Sequence, residues 1–311
     1  MERVGVSVPK AVVIGDDEGR PSSSYLTRRQ LSIHLRIRGN WWKERKNFED
    51  LSKALLKSRC VLSQLIVLLT GAKTDRIGLA MVLQPNLLMP LSKFSLSDLV
   101  FSFDRAEEEV YVDIIASLSQ AQNLTHLCLK LNAVLPTVGY IFVSHGYWPK
   151  LQHLSLPGFA ISSPSNHIDW QNQIQSFLER HINIQTLILP TYMLHSGTIT
   201  GSGRALSNLR ALELDNIQNH NIYLLDQIPS RISEMLSHLT ITTGSRLLPG
   251  LGLSITTLEI LRRLPWLRSC ILYYNEEDGK NFVIRAVEFL VNGSPLLQKL
   301  WMRVHDVNPP V

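Results

Sequence analysis

Residues 176–189 read SFLERHINIQTLIL, and two rhythms meet inside them. Phe177, Leu178 and then His181 or Ile182 fall at helical spacing. Ile184, Leu187 and Leu189 follow an L-x-x-L-x-L beat whose last two leucines share one face of a strand. The stretch predicts a helix that stops at His181 and Ile182. Leu187 and Leu189 should then face the same core as Phe177 and Leu178, with Thr186 and Ile188 turned outward.

The beat recurs along the chain. LTHLCL begins at Leu124, LQHLSL at Leu151, IQTLIL at Ile184, LRALEL at Leu209, LSHLTI at Leu236, LRSCIL at Leu267 and LQKLWM at Leu297. Weaker copies, LSQLIV and LSKFSL, begin at Leu62 and Leu91, and successive starts lie 25 to 33 residues apart. Self-similarity at that period is the mark of a leucine-rich-repeat solenoid. Between the beats, residues 107–120, 171–181, 255–264 and 281–291 carry apolar residues at helical spacing, and 140–148 and 228–239 read as shorter versions. The fold class expected is therefore α/β: a horseshoe solenoid with a parallel β-sheet on the concave face and helices on the convex side. An Asn or Cys normally stands three residues after the last leucine to bond backbone groups in the turn; here only Asn132 and Asn275 stand there, so the other turns must be satisfied differently and curvature should vary along the solenoid.

Composition agrees with one folded unit. Of 311 residues, 45% are hydrophobic, as a full core requires. The longest apolar run, within residues 61–72, is shorter than the ~20 residues a bilayer span needs. Glu2 and Asp16, Asp17 and Glu18 spoil the amino terminus as a signal peptide. Cys60, Cys128 and Cys270 are odd in number and scattered, which fits a reducing, intracellular compartment. The formal sequons at Asn123 and Asn292 read as chance. Residues 1–24 are expected to be poorly ordered and 25–311 to form a single irregular solenoid, with 25–60 as a basic cap and about seven to nine repeats from 62 onward. Net charge is +5, yet residues 25–59 hold ten Lys or Arg against Glu44, Glu49 and Asp50, a balance of +7 that leaves −2 elsewhere.

The cadence of helix, F-L-x-R-H and leucine strand resembles the divergent repeat region of fungal, basidiomycete-type F-box-like leucine-rich-repeat proteins. Phe177, Leu178, Arg180, His181 and IQTLIL carry the resemblance over roughly residues 60–311, supported by NLTHLCLKL and WPKLQHLSLPG. Ile182 stands where that family has Pro, and no LPxE-like F-box opening is seen at the amino terminus. The resemblance implies a substrate-recognition module of a ubiquitin ligase, with a Skp1-type adaptor as partner only if an F-box is supplied elsewhere.

Catalytic patterns are lacking: there is no G-x-S-x-G, C-x-x-C or H-E-x-x-H. GTITGSGR (197–204) has Arg204 and Ala205 where a phosphate loop needs Lys and Ser or Thr, and GDDEGR (15–20) lacks EF-hand spacing. His126, His153 and His238 share the third position of their beats, but Thr186 and Ala211 interrupt the row and no third metal ligand is evident. The carboxylates at 107–109 and 276–278 read as helix-start charges, and the cysteines as buried or half-buried thiols. No enzyme activity, metal or cofactor is expected.

A solenoid binds through its concave sheet face, so the candidate partner-binding residues are its outward strand positions: Lys93, His126, Lys130, His153, Glu213, Asp215, His238, Tyr273, Lys299, Trp301 and Arg303. Trp301 between Lys299 and Arg303 has the composition of a contact hot spot, the alternative being that it covers the core of the last repeat. The expectation is a monomeric, non-enzymatic protein-interaction scaffold with no membrane contact. The alternative is nucleic-acid or anionic-surface binding through the basic segment 28–46 with Trp41 and Trp42. There Ile33, Leu35 and Ile37 alternate with His34, Arg36 and Arg38, as a half-buried capping strand would.

Overall fold

The computed structural model describes residues 30–37, 45–57, 61–69, 76–98, 105–131, 136–157, 167–190, 206–217, 236–243, 255–262, 267–274 and 279–304. The 1–24 segment, Trp41, Trp42, Cys60, Asn132, Asn275, GTITGSGR and the helix expected over 228–239 lie outside the described residues, save the last residues of that helix stretch.

Among the described residues ten strands run in chain order in a single sheet: β1 (Gln30–Ile37), β2 (Val61–Leu69), β3 (Lys93–Asp98), β4 (His126–Leu131), β5 (His153–Ser155), β6 (Thr186–Pro190), β7 (Ala211–Ile217), β8 (His238–Thr243), β9 (Ser269–Tyr274) and β10 (Lys299–Val304). Every neighbouring pair is parallel. Between them lie α1 (Arg45–Lys57), α2 (Arg76–Val82), α3 (Pro85–Leu88), α4 (Arg105–Leu118), α5 (Pro136–His145), α6 (His167–Arg180), α7 (Ile255–Arg262) and α8 (Gly279–Gly293). Pairing matches like positions of the beat: Phe94 with Leu127, Leu127 with Leu154, Leu154 with Leu187 and Leu187 with Leu212.

Beat positions one, four and six form the core. Leu124, Leu127, Leu151, Ile184 and Leu187 are fully buried, beside Ile114 and Leu118 of α4 and Ile174, Phe177 and Leu178 of α6. Most intervening strand residues are half-buried or exposed, Ser155 and Pro190 being buried exceptions, so helices cover one face and the other stays largely open. Strands sit ~4.8 Å apart whereas packed helices need ~8–10 Å. That mismatch puts the open face on the inside of any curve the stack makes.

Backbone groups at the strand entrances are satisfied by a ladder between repeats. The carbonyl at position two accepts from the N–H groups at positions two and three of the next repeat, as Ser92 O does from Thr125 and His126, and Thr125 O from Gln152 and His153. Side chains reinforce it: Thr125 Oγ1 donates to Ser92 O, Asn183 Nδ2 to Pro149 O and Asn208 Nδ2 to Ile182 O. These contacts stitch the turns by which the chain enters each strand.

The opening stretch behaves as its rhythm requires. α6 ends at Arg180 without a proline because the buried His181 takes over. Its Nδ1 lies 2.6 Å from the carbonyl oxygen of Phe177, one of the last-turn carbonyls a helix leaves unpaired. Its Nε2 accepts the Trp148 N–H of the preceding repeat at 3.0 Å. Ile182 is exposed, Leu187 and Leu189 are buried, and Thr186 and Ile188 are half-buried on the open face.

Candidate functional site

The register assembles the open face into rows. Position three reads Gln64, Lys93, His126, His153, Thr186, Ala211 and His238 across β2 to β8. Position five reads Ile66, Ser95, Cys128, Ser155, Ile188, Glu213 and Thr240 across the same strands. At the carboxyl end, β10 pairs Lys299 with Ser269, Trp301 with Ile271 and Arg303 with Tyr273.

The sequence candidates thus separate into groups. Lys93, His126 and His153 are direct neighbours, and the two imidazoles stack with centroids 5.5 Å apart and planes 22° from parallel. Lys130 lies on the same strand as His126 and is exposed. Glu213 and Asp215 lie on β7, Glu213 half-buried, and His238 is exposed on β8. Lys299 and Trp301 are exposed on β10, Trp301 by 51%; Arg303 shares their strand, and Tyr273 is its partner on β9.

The histidines present a defined chemical state. Thr125 Oγ1 spends its one proton on Ser92 O, so the 2.9 Å contact with His126 must run from Nδ1–H to the hydroxyl. Ser237 repeats the device, bonding Arg210 O while lying 2.7 Å from Nδ1 of His238. In the neutral form of either ring Nε2 is then the acceptor. Partial burial, then the charge of Lys93, holds His126 below the usual imidazole value. Burial, then His126, does the same for His153. At neutral pH the pair is an uncharged, flat, polar-edged surface beside the Lys93 ammonium.

Among the described residues no three His, Cys, Asp or Glu side chains group to hold a metal ion. Cys128 is half-buried with its thiol 3.6 Å from Ser155 Oγ. Burial pushes the Cys270 thiol up to about 12, which keeps it protonated. Glu108, expected as a solvated helix-start charge, does accept the Thr137 N–H at 3.0 Å and so tethers the start of α5.

Two polar clusters escaped the sequence reading. Asp98 is fully buried at position eight of its beat, between Leu69 and Leu131 in register. Arg76 from α2 grips it with both Nε at 2.8 Å and a terminal nitrogen at 3.2 Å, and Tyr111 from α4 donates its hydroxyl to the same carboxylate. Burial, then the Asp98 charge, drives the Tyr111 hydroxyl far above its ordinary value. The signal was available: an aspartate stands where flanking beats have leucine. The second is Trp148, fully buried, whose indole N–H donates to Leu118 O at 2.8 Å and whose ring lies against Phe142, Phe177 and His181.

Repeat period, parallel register and one-sided helices define the class as a leucine-rich-repeat α/β solenoid. No protein-family model matches the chain, and no curated protein matches it. Among solved structures, the crystal structure of the leucine-rich repeat-containing protein LegL7 from Legionella pneumophila aligns over 93% of this chain and 90% of its own, with 14% identity and a TM-score of 0.47. Among the described residues no helix is long and apolar enough to cross a membrane.

Proposed function

We propose that the chain is a non-enzymatic protein-interaction scaffold that binds its partner on the open face of the sheet. The observation that carries this reading is the contiguous row Lys93, His126 and His153 on neighbouring strands, left uncovered by any helix among the described residues. A stacked neutral imidazole pair offers flat contact area with acceptor edges, and Lys93 and Lys130 supply charge for a partner carrying carboxylates. Glu213 and Asp215 further along favour a partner of mixed charge over a nucleic acid, and Trp301 adds an aromatic anchor. The finer assignment, the substrate-recognition part of an F-box-type ubiquitin-ligase receptor, rests on the family cadence; an intracellular location goes with it. The basic segment 28–46 favours capping, because Ile33 and Leu35 of β1 are buried while His34 is exposed.

Affinity purification of the full chain with partner identification, repeated with Lys93→Glu and His153→Ala, tests the reading. A partner lost from both variants supports it, and one retained by both overturns the open-face assignment. Co-purification of a Skp1-type adaptor would support the ligase role, and its absence beside a recovered partner would remove it.

A further inference from the structure

From β2 to β6 the strands carry basic groups on the open face and no acidic ones. Lys93, His126, Lys130 and His153 stand there, while the carboxylate of these strands, Asp98, is buried and held by Arg76. Glu213 and Asp215 come only on β7, two strands beyond His153. Among the described residues, the charged or titratable groups around the imidazole pair are Lys93 on β3 and Cys128 and Lys130 on β4; β6 sets Thr186 beside His153 and adds none. Lys150, just before β5, is tied to Asn123 Oδ1 at 2.7 Å. These strands thus give the patch no counter-charge of their own.

The pair can take up protons without rearranging. His126 already donates Nδ1–H to Thr125 Oγ1, so protonation adds its hydrogen at Nε2, which has no hydrogen-bond partner among the described residues. No described bond breaks, in contrast to His181, whose Nε2 is occupied by the Trp148 N–H. The His153 ring, stacked 5.5 Å away, has no hydrogen bond among the described residues either. In the free protein each added charge meets a like one. Partial burial, then Lys93, holds His126 below the ordinary imidazole value, and burial, then His126, does so for His153. A carboxylate laid against the row reverses that balance, because it favours both imidazolium forms and accepts from their new N–H groups.

We infer that Lys93, His126 and His153 form a proton-linked site for an acidic polypeptide segment, whose carboxylates bind the two imidazoles in their protonated form. The inference rests on the open-face reading and adds to it the ligand's chemistry and its regulation. In the complex the rings stay protonated to a higher pH than in the free protein. Binding therefore takes up protons and tightens as pH falls through the imidazole range. Lys93 is charged throughout that range, so it contributes strength at every pH and the histidines set the pH dependence.

The test uses the full chain and a fluorescein-labelled peptide of alternating Glu and Gly, with its Gln counterpart as control. Anisotropy should show the Glu peptide bound at least about tenfold more tightly at about pH 5.5 than at about pH 7.5, and the Gln peptide bound at neither. His126→Gln combined with His153→Gln should remove that pH dependence. His145→Gln, exposed on α5, should keep it, and Lys93→Gln should weaken binding at both pH values. In the unsubstituted chain, the ring-proton NMR titrations of His126 and His153 should move to higher pH when the Glu peptide is added, a readout that needs no variant to fold. A pH dependence that survives the double histidine variant, ring titrations that the peptide leaves in place, or no Glu-peptide binding at about pH 5.5 overturns the inference; a partner that still depends on Lys93 then leaves the open-face reading standing. Glu-peptide binding unchanged by the Lys93 and histidine substitutions alike overturns both. An oligothymidylate held more tightly than the Glu peptide through the same residues overturns the assignment to a polypeptide.

Discussion

Acidification should loosen the fold through one side chain, His181. Its ring is 2% exposed, and burial holds its pKa at about 4 against an ordinary 6.5. The hydrogen bonds require the neutral ring: Nδ1–H donates to Phe177 O while Nε2 accepts from the Trp148 N–H. Between these two values the unfolded chain binds the proton and the folded chain does not, so unfolding gains as pH falls. The stability is complete above pH 6.5 and is lost progressively down to about 4. A gap of that size at ~1.36 kcal/mol per unit amounts to roughly 3 kcal/mol. His181→Phe removes the titration but orphans the Trp148 N–H, at a cost of about 1–3 kcal/mol that does not vary with pH. Urea unfolding of both proteins across this window separates the effects. His126 and His153, also held below the ordinary value, titrate in both proteins and cancel in the difference. The wild-type advantage at neutral pH should shrink or reverse toward pH 4. A constant difference across the window would refute the reasoning.

Further outcomes concern the interior. Asp98→Ala strands the Arg76 guanidinium in the core and should cost about 3–5 kcal/mol in urea unfolding, whereas combining Asp98→Leu, Arg76→Met and Tyr111→Phe restores the leucine row and should recover most of that loss. In Gly146→Ala the new Cβ would sit 2.7 Å from the Trp148 ring and against the Phe142 carbonyl. It should destabilise by about 1–3 kcal/mol, with the change visible in tryptophan fluorescence during thermal unfolding.

The repeat was legible because leucine placement is a local requirement met anew in each copy. Each beat must bury positions one, four and six whatever lies around it, so period and parallel pairing follow from spacing alone. The stop of α6 was readable at His181, but its cause was not, since Trp148 lies in another repeat. The Asp98 cluster stayed hidden for a related reason. Its three members are separated by 22 and 13 residues and joined only by stacking. At the open face, adjacency of His126 and His153 followed from their shared position, while their neutral state needed the Thr125 proton and local burial. Sequence left Trp301 between an outward contact and a cover for the last repeat's core, and the residue is 51% exposed.

The core and the proposed recognition surface occupy alternate positions of the same strands, and their energetics differ accordingly. Truncating a core leucine such as Leu127 removes buried contacts worth about 2–5 kcal/mol, so those positions tolerate little change. A surface residue away from such features usually shifts stability within about 0.5 kcal/mol, leaving Lys93 or Lys130 open to change without loss of the fold. The ladder at position two widens that freedom, because Thr125 and Ser237 fix the neighbouring histidine rings through a hydroxyl bonded to the preceding carbonyl. The same scaffold can therefore hold a recognition surface rigidly while leaving its composition unconstrained. That is why the leucines of this chain disclose its architecture and its open-face residues must be read against a partner.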